Sequence, residues 1–314
     1  MADVRPRRTV FRVAVRLLTA ALAAFLAPGA PGSAAAACLP AHQLFAVREI
    51  GKVALSQPAD LVLAGDRLYV LDDLNGRIAV LDLQGRGVGS IPLPGPEGAA
   101  WIGIGYGGAD QFFLAASGDG RVAVVDLKGK LVREFRTADG AEKAGAAGIL
   151  VSPGGCFVAD NRAHRVRAFT LEGKPQAAWG SLGEGAAQFR APFRIAQDSL
   201  GRVLVSDSLN SRVLAFTPKG ESLSGFGEFG TTEGTLFRPA GLAILEGDRV
   251  LVSDAYFGSL QIFSAQGAYQ GVLCDDGGHP LALEGPTGLA ARGGVVYIVE
   301  MGAGRVSAWE LGAR

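Results

Sequence analysis

The chain has 314 residues, with 30 Lys and Arg balanced by 30 Asp and Glu. The first 37 residues hold five Arg and one Asp, so the remaining 277 carry 25 basic and 29 acidic groups, a formal charge of −4. That balance argues against a basic face for nucleic acid, and the length fits one globular domain rather than several.

Residues 1–37 read as an address. Arg5, Arg7, Arg8, Arg12 and Arg16 precede an apolar stretch at 17–27, followed by Pro, Gly and Ser and then alanines at 34–37. Basic, apolar, then small is the layout of a secretory signal peptide, with cleavage expected after Ala36 or Ala37. As a helix the apolar stretch reaches about 16 Å against a hydrocarbon core of about 30 Å, so the mature chain is expected to keep no integral membrane span and to be periplasmic or secreted. Cys38 directly after Ala-Ala-Ala also raises lipid anchoring of the bacterial lipoprotein kind. Against it, the branched aliphatic residue expected three places earlier is absent, and ten residues separate Cys38 from the apolar core. Arg7-Arg8 hints at twin-arginine export, with Phe11 one position late for that signal.

From residue 57 onward one pattern recurs. An acidic residue ends an apolar run and five residues later an Arg opens another: Asp72 with Arg77, Asp160 with Arg165, Asp207 with Arg212, Glu300 with Arg305, and Asp254 with Ser259 in the Arg position. A sixth copy has Ala116 before Arg121. The markers 72, 116, 160, 207, 254 and 300 lie 44, 44, 47, 47 and 46 residues apart, and a period in the forties with strand-like content means a propeller or a solenoid. The first copy predicts strands at 60–64, 68–70, 77–81 and 88–93, short runs of Val, Ile and Leu broken by Gly, Asp and Pro.

The third and fourth strands of a copy meet at a turn whose glycine lies eight residues after the Arg position: Gly85, Gly129, Gly173, Gly220 and Gly267. A tight hairpin needs positive φ there, which Gly adopts freely. Large apolar residues four places after the Arg position (Leu81, Val125, Phe169, Phe216, Phe263, Trp309) predict one buried face on each third strand. Pro58, Pro192, Pro239 and Pro286 open first strands, where no ladder donor is lost. The last copy ends after its third strand, while a strand at 43–50 precedes the first copy. Lending that strand to the last copy closes a ring and removes an open edge.

The fourth and fifth copies resemble the NHL repeat. Trp179-Gly180, Gly183, Gly185, Phe189-Arg190-Ala191-Pro192, Val205-Ser206-Asp207 and Arg212-Val213 match that motif in order, and Phe226-Gly227, Gly230, Gly234, Phe237-Arg238-Pro239 and Val252-Ser253-Asp254 repeat it. The resemblance spans about residues 42–311 and implies an all-β, six-bladed β-propeller of four-stranded blades over 38–314, closed by an N-terminal strand completing the last blade. The second copy departs most from it.

Few residues suggest catalysis. Cys156 falls on a core position shared with Leu68, Val203, Val250 and Val296, which predicts a buried thiol. Cys38 and Cys274 fall in neighbouring blades and form a disulfide candidate in an oxidising compartment. The marker acids repeat at one place in every copy, as expected of carboxylates that accept backbone hydrogen bonds in a tight loop. His164 and His279 fall on one face and His42 on the opposite one, which argues against a three-His metal centre like that of the peptide-amidating lyases. Glu284-Gly285-Pro286 resembles the ligand-bearing start of gluconolactonase-like propellers, which would make Glu284 a metal ligand, but Asn75, Asn161 and Asn210 fall in turns. No metal, cofactor or catalytic residue is otherwise expected. The face bearing the inter-blade connections gathers Arg162, Arg190, Arg194, Arg238, Tyr256 and Phe257, residue types enriched at protein interfaces. The expectation is a monomeric, non-catalytic module that binds a protein or peptide partner, the alternative a metal-dependent lactonase or hydrolase.

Overall fold

The computed structural model describes residues 37–95, 100–138 and 144–312. All but the last residue of the expected leader, 1–37, lie outside them. Among the described residues no helix is long and apolar enough to cross a membrane.

After β1 (Cys38–Val47) and a small hairpin of β2 (Glu49–Ile50) and β3 (Val53–Ala54), the chain builds antiparallel sheets one after another. Sheet I holds β4 to β7 (Asp60–Ala64, Arg67–Asp72, Arg77–Asp82, Gly87–Pro92) and sheet II β8 to β11 (Trp101–Tyr106, Gln111–Ala116, Arg121–Asp126, Leu131–Arg136). Sheet III holds β12 to β15 (Gly148–Ser152, Gly155–Asp160, Arg165–Phe169, Pro175–Trp179) and sheet IV β16 to β19 (Pro192–Gln197, Val203–Asp207, Arg212–Phe216, Ser222–Phe226). Sheet V holds β20 to β23 (Pro239–Ile244, Val250–Asp254, Ser259–Phe263, Tyr269–Cys274), and sheet VI has β24 to β26 (Pro286–Arg292, Val295–Glu300, Arg305–Leu311). The expected repeat strands fall on observed ones, and Pro192, Pro239 and Pro286 each start a first strand, whereas Pro58 stands two residues before β4.

The first strands touch in cyclic order, β4 to β8, β12, β16, β20 and β24, and β24 returns to β4. The apolar core is therefore divided into layers between neighbouring sheets. Trp101, Phe112 and Leu114 of sheet II face Leu71, Ile78 and Val80 of sheet I, and Tyr297, Val299 and Val306 of sheet VI face Leu68, Val70 and Leu81 of sheet I. Sheet II keeps its place without the marker acid: Arg121 lies 5.0 Å over the Trp101 ring and 3.3 Å from Asp119.

β1 completes sheet VI, but in a register different from the expected 43–50. It pairs antiparallel with β26 from Ala41↔Leu311 to Val47↔Val306, and its first residues, Cys38 to Pro40, run parallel to Val272–Cys274 of β23. Sheets V and VI are thus joined along their outer edges. Residues 49–50 leave the strand because Gly51 and Lys52, at φ of 63° and 68°, turn them back on Val53–Ala54, the two-positive-φ geometry of a tight hairpin.

The turn glycines answer to packing as well as to φ. A Cβ on Gly173, Gly220 or Gly267 would lie 2.5 to 2.7 Å from Phe135, Trp179 or Phe226, each in the fourth strand of the preceding sheet. Gly85 of sheet I stands in the same relation to Phe45 of β1, at 2.7 Å. In packing terms β1 is the fourth strand preceding sheet I, which is what closure of the ring requires.

Cys38 and Cys274 are joined by a disulfide with Cα atoms 5.6 Å apart across 236 residues, within the normal span for the bond. Cys156 is buried among Phe113, Val158 and Phe169, and burial pushes its thiol up to about 12. The disulfide-bonded protein should therefore show two thiols protected until reduction and one protected until unfolding, read by alkylation and mass spectrometry. Native-state labelling of Cys156 at the rate of a free thiol would contradict the packing. A Cys38→Ser change should lower stability by up to about 5 kcal/mol, the chain-entropy value for so long a loop.

Candidate binding face

The marker acids tie separate pieces of chain together. Asp207 accepts from the Arg190 amide on the incoming connection at 2.6 Å, from Asn210 Nδ2 in its own loop at 2.7 Å and from Arg212 Nε at 2.9 Å. Asp72 does the same with Ser56, Asn75 and Arg77. Glu300 joins the Glu284 amide to Arg305. Burial pushes the Asp207 carboxyl above its usual range, and these donors pull against that. The acids are therefore splints, which accounts for their repetition without a ligand.

Asp254, with Ser259 in place of the Arg, uses its carboxylate on four amides. Oδ2 accepts from Phe237 (2.7 Å) and Arg238 (2.9 Å), and Oδ1 from Tyr256 (3.0 Å) and Phe257 (3.1 Å). One buried carboxylate thus sets the backbone beneath a group of rings. The Phe237 ring lies 4.4 Å from Tyr256, 5.6 Å from Phe257 and 5.4 Å from Phe229, between ring centroids. These are the separations of interior aromatic pairs, yet Phe229 is 70%, Tyr256 65% and Phe257 44% exposed.

The loops carrying Arg162, Arg190 and Arg238 are stitched to this group along one face. Ala191 N donates to His164 Nδ1, Leu209 N to Arg190 O, Ser211 Oγ to Phe237 O, and Ala255 N to Arg238 O. Arg162, Arg190 and Arg238 are all exposed, and Leu182 and Leu209 are exposed beside them. The structure therefore brings Arg162, Arg190, Arg238, Tyr256 and Phe257 onto one face across sheets III to V. It adds Phe229 and Phe237, which sequence reasoning left out of the site.

Arg194 does not belong there. It is 5% exposed and lies inside the ring. Its guanidinium donates to Ala147 O at 2.8 Å, Ala59 O at 2.8 Å and Thr287 O at 3.1 Å, and stands 3.5 Å from Asp60. Those partners come from sheets III, I and VI, so a side chain of sheet IV crosses the middle of the ring. Asp60 in turn accepts from the Leu61 and Ile104 amides. Pairing with the second strands shows why there is room: the equivalent first-strand residues are Asp60, Gly103, Gly148, Arg194, Gly241 and Gly288. A Cβ on Gly148 would press 2.3 Å from Phe193 O. Burial raises the Asp60 carboxyl and lowers the Arg194 guanidinium from their ordinary values, and each opposes the other's shift.

The histidines need a correction. His42 was expected on the face opposite His279, but both stand against one turn: His42 Nδ1 lies 2.9 Å from Asp276 and His279 Nδ1 3.6 Å from Asp275. The parallel run of β1 along β23 brings His42 there. Glu284 is exposed on the connection into sheet VI. Asn75 and Asn210 are turned onto the acids of their own loops. Among the described residues no group of three or more His, Cys, Asp or Glu is placed to hold a metal ion.

No protein-family model matches the chain, and no curated protein matches it in sequence. In structure it is similar to a streptogramin B lyase, with a TM-score of 0.59 and 15% identity over 80% of this chain and 78% of that one. An inactive virginiamycin B lyase from Staphylococcus aureus, solved with quinupristin, gives 0.62 and 14% over 85% and 87%. A protein of unknown function from Bacteroides thetaiotaomicron gives 0.63 and 14% over 86% and 74%. Identities this low speak to architecture alone, and on that ground the chain is an all-β protein with the β-propeller fold of these structures.

Proposed function

We propose that the chain is a six-bladed propeller of the NHL-repeat type, exported to the periplasm or beyond, that binds a protein or peptide partner as a non-catalytic monomer. The observation that carries the reading is the uncovered aromatic group of Phe229, Phe237, Tyr256 and Phe257, packed like an interior and flanked by exposed arginines. Aromatic and Arg side chains carry much of the binding energy at interfaces, and an apolar patch held rigid against solvent marks an interaction site. The Cys38–Cys274 disulfide supports an oxidising compartment. The alternative, a metal-dependent lactonase centred on Glu284, gains no support from the side chains around that residue.

Replacing Arg162, Tyr256 and Phe257 together by Ala should leave melting nearly unchanged, because exposed changes stay within about 0.5 kcal/mol each and the backbone bonds to Asp254 remain. Partner capture from envelope extract should fall at least tenfold, since hot-spot side chains contribute about 2 kcal/mol or more each. A large drop in melting temperature would make these residues structural, and full capture by a well-folded triple variant would move the site.

A further inference from the structure

We infer that the segment this face takes is an acidic one, with carboxylates set beside apolar side chains. The inference rests on the binding reading above and adds the chemistry of the ligand.

Along the stitched face exposed arginines alternate with exposed apolar groups, and exposed Glu184 and Glu228 lie on the connections between them. Arg162 comes first, then Arg190 with Leu182 and Leu209, then Arg238 with Phe229, Tyr256 and Phe257. Arg190 is balanced by Glu184 at 3.8 Å. The side chains of Arg162 and Arg238 have no ion-pair or hydrogen-bond partner among the described residues. Two guanidinium groups without a counterion among the described residues therefore flank an uncovered group of aromatic rings on loops held by Asp160 and Asp254. A guanidinium fork matches a carboxylate in two parallel hydrogen bonds, and the rings offer the partner's apolar side chains a surface already desolvated on one side. A ligand with both chemistries uses the whole face.

Single-stranded nucleic acid also pairs arginine with aromatic stacking. It is disfavoured here because a strand carries a phosphate at every nucleotide and would meet exposed Glu184 and Glu228 on the two inter-sheet connections, whereas a peptide can set its carboxylates at Arg162 and Arg238 alone.

The test pans a random peptide library on the disulfide-bonded protein, with counter-selection on the Arg162→Ala, Tyr256→Ala, Phe257→Ala variant. Enriched peptides should carry Asp or Glu next to Phe, Leu, Ile or Trp. The best of them, made synthetically, should bind the Arg162→Glu, Arg238→Glu variant at least tenfold more weakly, with Arg162→Lys, Arg238→Lys nearer to the wild type. A version with Lys for its acids should recover binding to the Glu variant. An oligothymidine should not bind at about 0.15 M ionic strength. Enriched peptides that lack acids yet need Tyr256 and Phe257 would overturn the acidic chemistry and leave the binding reading standing. No enrichment, with partner capture still lost in the triple variant, would overturn the peptide segment alone. Oligothymidine binding, or a concentration-dependent dimer that buries the face, would overturn the inference. Failure of the binding reading shows separately, as capture that no change on this face affects.

Discussion

An Arg194→Met variant should be barely folded at ambient temperature, although the sequence places Arg194 among candidate surface contacts. The substitution fills similar volume but leaves Asp60 without its counter-charge and the Ala147 and Thr287 carbonyls without the guanidinium donor, while Ala59 O keeps Thr287 Oγ1. Removing one partner of a buried ion pair costs about 3 to 5 kcal/mol, and each carbonyl left buried and unpaired adds about 1 kcal/mol or more. Total domain stability is about 5 to 15 kcal/mol. Thermal melts should show a fall of 10 °C or more, at about 2 to 4 °C per kcal/mol for a chain of this size. Arg194→Lys should recover part of it, because an ammonium keeps the charge but cannot span three carbonyls from three sheets. A Met variant that melts like the wild type and merely captures partner poorly would return Arg194 to the binding face.

Removing residues 38–47 should have an effect of similar size by a different route. The truncated chain loses the ladder from Ala41↔Leu311 to Val47↔Val306, the parallel run beside Val272–Cys274, the disulfide, and the Phe45 ring against Gly85. Net hydrogen-bond contributions of about 1 kcal/mol each bring the ladder alone near the whole stability. What remains has two bare edges, β26 and β23, which favours pairing with other chains. Size-exclusion chromatography with light scattering should find oligomers or unfolded chain. A monomer melting at the full-length temperature would remove the closure model.

The repeat was legible because its parts are local. The marker acid, the Arg five residues on and the turn glycine each answer to a loop of a few residues, so their spacing carries through to the observed strands. The second reason for the turn glycines, an aromatic ring of the preceding sheet against the backbone, spans two copies and has no local trace. Arg194 was misplaced for the same reason. Its role shows only when six first strands are aligned and the positions read Asp60, Gly103, Gly148, Arg194, Gly241, Gly288, with opposite charges three copies apart. The candidate face was half legible. Loops between second and third strands share a side of the ring, which gathers Arg162 with Tyr256 and Phe257. Phe229 lies in a glycine-rich connection without strand periodicity, where nothing but its equivalence to Leu182 draws notice. β1 was shifted because Leu39 and Pro40 have no alternating pattern, and the parallel pairing they make with β23 is fixed by contacts 230 residues away.

The most direct test of the binding face is site-specific photocrosslinking in envelope extract. A photoreactive residue replaces Tyr256 in one protein and Lys219 in another. Lys219 lies in the turn after Phe216, at the far end of a third strand that starts beside the 207–212 loop, about 17 Å along the strand. The account predicts a discrete adduct from position 256, lost when Phe229 and Phe257 are also changed to Ala, and none from position 219. An adduct from 219 with none from 256 would contradict it.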